Sequence, residues 1–214
     1  MEEYYKQVVG NALFKTCNGI SPLRGEILDI EGMSGLMTRF FYNHICSMDD
    51  TRYLEIGTYK GSTFCSAMYN NPHGIYVAID DFSEFDKPRE EFLKNVETFR
   101  CGNVTFYDKD CFDIDISVFS QKFNIFVYDG DHSYYSHYNI LNYYKDILDD
   151  CFIYIVDDYN NERIRNATQE SIKDYNFKII YEYEKLTSDN GEHPTDVNIL
   201  QTFWNGMYVA VLSK

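Results

Sequence analysis

Five short apolar runs, each followed directly by glycine or aspartate, alternate with helical patterns between residues 53 and 156. The runs are Tyr53–Ile56 before Gly57, Gly74–Ile79 before Asp80, Val104–Tyr107, Phe123–Tyr128 before Asp129, and Phe152–Val156 before Asp157. Between them, Gly61-Ser62-Thr63 opens a helix to about Tyr69. A second helix runs from about Lys87 to Phe99, with Phe92, Val96 and Phe99 on one face. Tyr134, Tyr138, Leu141 and Leu148 mark a third helical face. Strand–helix alternation of this kind predicts an α/β fold with a mostly parallel central sheet and helices on both faces. Continuous apolar runs fit strands covered on both sides.

The flanking segments extend this frame. Residues 1–50 read as mostly helical, with Leu36, Met37, Phe40, Phe41 and Ile45 on an apolar face, and form an N-terminal cap over the sheet or its carboxyl edge. After residue 160 the pattern predicts one more helix, strands over Phe177–Tyr183 and Met207–Leu212, and a polar loop over 185–198. The last two strands are expected as an antiparallel C-terminal edge. No repeat or linker divides the chain, so residues 1–214 read as a single domain.

Charge and composition exclude several function classes. The formal charge of −15 and the lack of a basic stripe argue against a nucleic-acid partner. No apolar run reaches the roughly 18 residues of a membrane span. The start, M-E-E-Y-Y-K, lacks the regions of a signal peptide, so a cytoplasmic location is expected. The six cysteines form no C-x-x-C pair and read as buried thiols. The sequons at Asn103 and Asn166 read as chance matches.

Candidate chemistry gathers at the ends of the strands. Gly57 permits a sharp turn and close backbone approach, and Gly61 permits tight packing where the next helix starts. Ser62 is placed to cap that helix or to bond a ligand. The run L-E-I-G-T-Y-K-G-S-T matches neither G-x-G-x-x-G nor a phosphate loop. Asp80 is placed to accept hydrogen bonds from two ribose hydroxyls, with Asp81 as its adjacent competitor. Asp110 is the candidate for an adenine contact, in competition with Asp108 and Asp113. Asp129-Gly130-Asp131-His132 and the pair Asp157-Asp158 end two buried-looking strands, and their carboxylates form a rim suited to a hard divalent cation. The competing readings are a solvated strand end for Asp157-Asp158 and a helix-supporting role for His132. His137 reads as structural, and His193 as a loop residue. Tyr134 and Tyr135 fit either a pocket wall or the core.

Together, L-E-I-G-T-Y-K-G-S-T, Y-V-A-I-D-D, V-Y-D-G-D-H-S-Y and I-V-D-D-Y-N resemble a class I S-adenosylmethionine-dependent methyltransferase. More narrowly, they resemble the metal-dependent small-molecule O-methyltransferases of the catechol, caffeoyl-CoA and macrolide-sugar types. The resemblance covers about residues 25–160 and implies a Rossmann-like methyltransferase fold. It implies that Glu55 and Gly57 lie beneath the methionine and ribose of the cofactor, that Asp80 binds ribose, and that Met33 borders the methionine end. With Gly61, Ser62, Asp110 and Asp129 these make the expected cofactor set. Asp129, Asp157 and Asp158 resemble the three protein ligands of the metal, expected to be Mg²⁺. The catechol type carries Asp-Asn where this chain has Asp157-Asp158. His132 stands where the sugar type has its histidine and the catechol type a lysine, and the resemblance implies it as general base.

The expected function is therefore methyl transfer from S-adenosylmethionine to a hydroxyl of a small polyhydroxyl acceptor, a sugar moiety or a catechol-like ring. A homodimer is compatible with the resemblance alone. The alternatives are a metal-independent methyltransferase, an inactive S-adenosylmethionine-binding protein, and a nicotinamide-dependent oxidoreductase, which the glycine spacing disfavours.

Overall fold

The computed structural model describes residues 1–85, 88–188 and 201–214. Helices α1 (Glu2–Cys17) and α2 (Leu36–Ile45) precede β1 (Arg52–Ile56), α3 (Ser62–Met68), β2 (Ile75–Ile79), α4 (Arg89–Phe99) and β3 (Asn103–Tyr107). Then come β4 (Phe123–Tyr128), α5 (Tyr134–Tyr144), β5 (Leu148–Asp157), α6 (Glu162–Asp174), β6 (Lys178–Lys185) and β7 (Met207–Ser213). The strands form one sheet in the order β3-β2-β1-β4-β5-β7-β6. β1 to β5 are parallel, and β7 lies between β5 and β6, antiparallel to both. This is the expected α/β, Rossmann-like sheet with its antiparallel C-terminal strand.

Period-two alternation divides the core into two layers. Tyr53, Ile125, Val127, Ile153 and Ile155 pack beneath α1–α4. Leu54, Ile56, Phe126, Tyr128, Tyr154 and Val156 pack beneath α5 and α6. Both faces are covered, which is why the central strands read as unbroken apolar runs.

The N-terminal helices pack chiefly on the sheet face rather than over its carboxyl edge. Tyr5, Val9, Phe41 and Ile45 join the layer beneath α1–α4. The buried Arg39 guanidinium ties α2 to its surroundings, with Nε donating to Ser66 Oγ at 2.9 Å and a terminal nitrogen donating to the Leu28 carbonyl at 3.1 Å. Only the segment just before α2 reaches the edge. It is pinned there by Lys60 Nζ to Glu31 at 2.8 Å and by the Ser34–Ser62 hydroxyl pair at 3.0 Å. The amide of Met37 donates to the Thr202 carbonyl at 3.1 Å, which brings the chain before β7 alongside.

Two local expectations are corrected. Leu148 does not belong to a helical face; it begins β5 and is buried there. The face of α5 that enters the core carries His137, Ile140, Leu141 and Tyr144, whereas Tyr134 and Tyr138 bond to Glu170 and Asp174 of α6. The expected start of the second helix at Lys87 lies outside the described residues, as do His193 and most of the 185–198 loop. Among the described residues, no helix is long and apolar enough to cross a membrane.

Gly57 fixes how β1 meets β4. Its φ is +82°, and a Cβ there would sit 1.8 Å from the Asp129 carbonyl oxygen. At Gly61, φ +84°, a Cβ would meet side chains alone, the Phe92 ring at 3.1 Å and Cys65 Sγ at 3.5 Å. Gly61→Ala should cost about 1 kcal/mol, the strain of a left-handed alanine. Gly57→Ala should cost well above about 2 kcal/mol, because backbone must move. Urea denaturation of both variants measures the difference, and equal losses would contradict the close approach.

Candidate active site

The carboxyl ends of the parallel strands open into a cavity of about 470 Å³, within the range of small-ligand pockets. Gly57 to Tyr59, Ser62, Asp80, Asp110, Asp129, His132 and Asp158 line it, with Met33 from before α2 and Trp204 and Asn205 from before β7. Ligands in open α/β sheets bind at this edge, where the strand order reverses across β1 and β4.

The glycine loop is organised by Asp80. Asp80 Oδ2 accepts hydrogen bonds from the amides of Thr58 at 2.6 Å and Tyr59 at 2.9 Å, and Oδ1 accepts from the amide of Phe82 at 2.7 Å. This carboxylate therefore joins the end of β2 to the turn after β1. Its neighbour Asp81 is exposed and accepts from Ser83. Asp110 caps the short turn after β3 through the amide of Phe112 at 2.7 Å. Ser62 does not cap α3. Gly61 is the N-cap residue, without a side-chain cap, and the Ser62 hydroxyl faces Ser34 instead.

Glu55 lies beneath the loop, fully buried and outside the cavity lining. Its two oxygens accept from Tyr53 Oη and Thr63 Oγ1, each at 2.5 Å. Burial pushes its pKa from 4.5 to about 7, against the lowering effect of those two bonds.

The rim at β4 and β5 carries opposed electrostatics. Burial, then the charges of Asp157 and Asp158, holds Asp129 well above the ordinary carboxylate range. Asp157 is buried at 2 % exposure, and burial followed by the Asp158 charge pushes it up too. Sharing strand parity with Ile153 and Ile155, Asp157 turns toward the α1–α4 layer; it does not line the cavity, and its Oδ1 has no hydrogen-bond partner. Asp158 stands just past the strand with a φ of +55°, a conformation uncommon outside glycine. Its Oδ2 lies 2.7 Å from His132 Nε2, and its Oδ1 accepts from Asn205 Nδ2 at 2.5 Å. Burial would raise Asp158, but the His132 bond and charge, then Asn205, carry it below the usual value. His132 is raised in turn, chiefly by that bond.

Asp129, His132 and Asp158 each offer a ligand atom, and these atoms lie within 4.8 Å of one another. Asp131 serves the start of α5 instead, accepting from Ser136 Oγ at 2.6 Å. Buried His137 packs edge-on against Tyr128, and burial takes its pKa down to about 3. Neither Tyr134 nor Tyr135 reaches the cavity.

Trp204 and Asn205 were not legible as site residues. The one tryptophan of the chain, in W-N-G before an apolar run, was the available signal for the first. Nothing local signals Asn205, which is held by Asn160: Asn160 Nδ2 donates to Asn205 Oδ1 at 3.0 Å.

Residues 54–159, from β1 to just past β5, match a family model described as a methyltransferase domain. The sheet order and the glycine loop agree with that match. The chain is an S-adenosylmethionine-dependent methyltransferase. Solved structures share its fold, two O-methyltransferases among them from end to end. The O-methyltransferase TomG of Streptomyces achromogenes, involved in tomaymycin synthesis and solved with SAM, is 10% identical over 98% of each chain, with a TM-score of 0.63. An O-methyltransferase from Bacillus cereus in complex with SAH is 11% identical over 100% of both chains, with a TM-score of 0.62. The fibrillarin pre-rRNA processing protein of Methanococcus jannaschii is 15% identical over 78% of this chain and 68% of its own, with a TM-score of 0.54. At such identities the likeness is one of fold. No curated protein matches this methyltransferase in sequence.

The buried Glu55 gives a signed prediction. Its folded pKa stands above its unfolded one, so the folded state binds the extra proton between pH 4.5 and 7, and stability falls as pH rises through that window. Relative to Glu55→Gln, the methyltransferase should lose up to about 3 kcal/mol between pH 4.5 and 8. Urea denaturation of both proteins at several pH values checks this; parallel curves would sink the assignment.

Proposed function

We propose that this methyltransferase, acting through its whole length as one unit in the cytoplasm, methylates a hydroxyl of a small polyhydroxyl acceptor. The observation that carries the reading is the cluster of Asp129, His132 and Asp158 on the wall of the cavity that the glycine loop lines. The Streptomyces and Bacillus neighbours that share its full length are O-methyltransferases. The charge of −15 favours a small molecule over a nucleic acid.

The residues fit a divalent cation. Asp129 and Asp157 are driven up by burial and by neighbouring carboxylates, and Asp157 Oδ1 is buried without a partner. Crowded oxygens of this kind are stabilised by a hard ion such as Mg²⁺. Asp129 and Asp158 would hold it, and His132 beside them stays free to act as a base. When bound, the cofactor supplies an electrophilic methyl group and the cation supplies Lewis acidity toward the acceptor hydroxyl.

The chain's own residues do the remaining work. Asp80 holds the loop amides in place and fixes the cofactor end of the cavity. Gly57 lets the backbone approach that ligand closely. Asp158 orients the imidazole of His132 through Nε2, which leaves Nδ1 as the ring nitrogen to accept the acceptor's proton. Met33 and Trp204 border the cavity and exclude water from it. The 2.7 Å His132–Asp158 pair also favours a second reading, a metal-independent enzyme, since an oriented base needs no cation.

Asp80→Ala should weaken S-adenosylhomocysteine binding about tenfold or more by calorimetry. Asp158→Ala should keep that binding but lower methyl transfer by about 100-fold or more. EDTA should abolish transfer and Mg²⁺ restore it; full activity in EDTA would select the metal-independent reading.

A further inference from the structure

The charge of the cavity wall goes beyond holding a cation and a cofactor. Seven carboxylates line it, and among the described residues Lys109 is the only lysine or arginine that does. Asp129 and Asp158 are taken by the cation in the reading above, and Asp80 by the loop and cofactor. Asp81, Glu84, Asp110 and Asp131 remain. A divalent ion balances its two carboxylates, and the net positive charge of S-adenosylmethionine balances Asp80. The wall therefore stays negative when both are bound.

Lys109 does not correct this where the acceptor sits. It follows β3, three strand spacings from β4, or about 14 Å across the sheet, which exceeds the screening length of physiological salt. The acidic end has its own members. Asp131 follows β4, and Glu84 lines the same cavity. Glu84 and Phe85 come from the loop after β2, and Phe85 is 62 % exposed while lining the cavity. Trp204 lines it too. Aromatic rings beside carboxylates favour a bound ammonium over an anion.

We infer that the acceptor is a cation: a hydroxyl-bearing small molecule with a protonated amine, selected against congeners bearing a carboxylate or phosphate. The inference rests on the hydroxyl-methylating reading of the same cavity.

Three catechols of one size test it: dopamine, neutral 4-ethylcatechol and anionic 3,4-dihydroxyphenylacetate. Glucosamine, glucose and glucuronate form a parallel set. Each is titrated by calorimetry into the full chain loaded with S-adenosylhomocysteine and Mg²⁺, and methyl transfer from S-adenosylmethionine is measured alongside. In at least one set the cationic member should bind about tenfold or more tighter than the anionic one. The ratio should shrink as salt rises from 50 to about 500 mM, and Glu84→Lys should reduce or reverse it. Equal affinities, tighter binding of the anion, or no binding by either cationic member would overturn the inference. A charge order without methyl transfer to any member would uphold the cavity's preference and overturn the methylation reading instead.

Discussion

The site depends on one close approach, between Gly57 at the end of β1 and Asp129 at the end of β4. The Asp129 carbonyl occupies the space that a side chain on Gly57 would fill. The amide of Asp129 donates to the Ile56 carbonyl at 2.9 Å, and the amide of Gly57 donates to the Ile79 carbonyl at 3.0 Å. Three strand ends are thereby locked in register where the chain leaves the sheet. That contact sets the distance between the loop organised by Asp80 and the carboxylates of β4 and β5. The glycine loop and an acidic rim share one cavity because these two backbones touch.

The second constraint is electrostatic. Glu55, Asp129, Asp157 and Asp158 cluster at the end of a low-dielectric core, where burial, then neighbouring carboxylates, raises the first three while Asp158 is carried below its usual value by His132. The protein answers each differently. Glu55 receives two hydroxyl donors, and Asp158 receives an imidazole and an amide. Asp157 Oδ1 receives nothing. Turning the chain at Asp158 into a left-handed conformation sends the second of two adjacent carboxylates into the cavity while the first stays beneath. Such local strain persists where its surroundings hold it, here through His132 and Asn205.

Much of this arrangement was legible from the chain alone, for physical reasons. Buried parallel strands must be apolar on both faces, so β1, β2, β4 and β5 announce themselves, and the residues that follow them fall at the ligand edge by topology. Asp80, Asp129 and Asp158 were found this way. The two neighbouring acids Asp157 and Asp158 read alike in the sequence, because which of them enters the cavity depends on the turn that follows the strand. The insertion of β7 between β5 and β6 was not legible, because antiparallel order leaves no local mark. With it went Asn205, whose role exists only through a contact to Asp158 across 47 residues. Lys60 was legible as a loop residue but not as the clasp between Glu31 and Glu91, which come from distant segments.

A methyl donor and a cation side by side on this edge are the core of the account. Crystals of the full chain grown with S-adenosylhomocysteine and Mn²⁺, measured at the manganese absorption edge, test it most directly. The expected result is an anomalous peak bounded by Asp129 and Asp158, with the cofactor lying along the glycine loop beside Asp80. Well-ordered cofactor in the cavity with no anomalous peak at those carboxylates would contradict it.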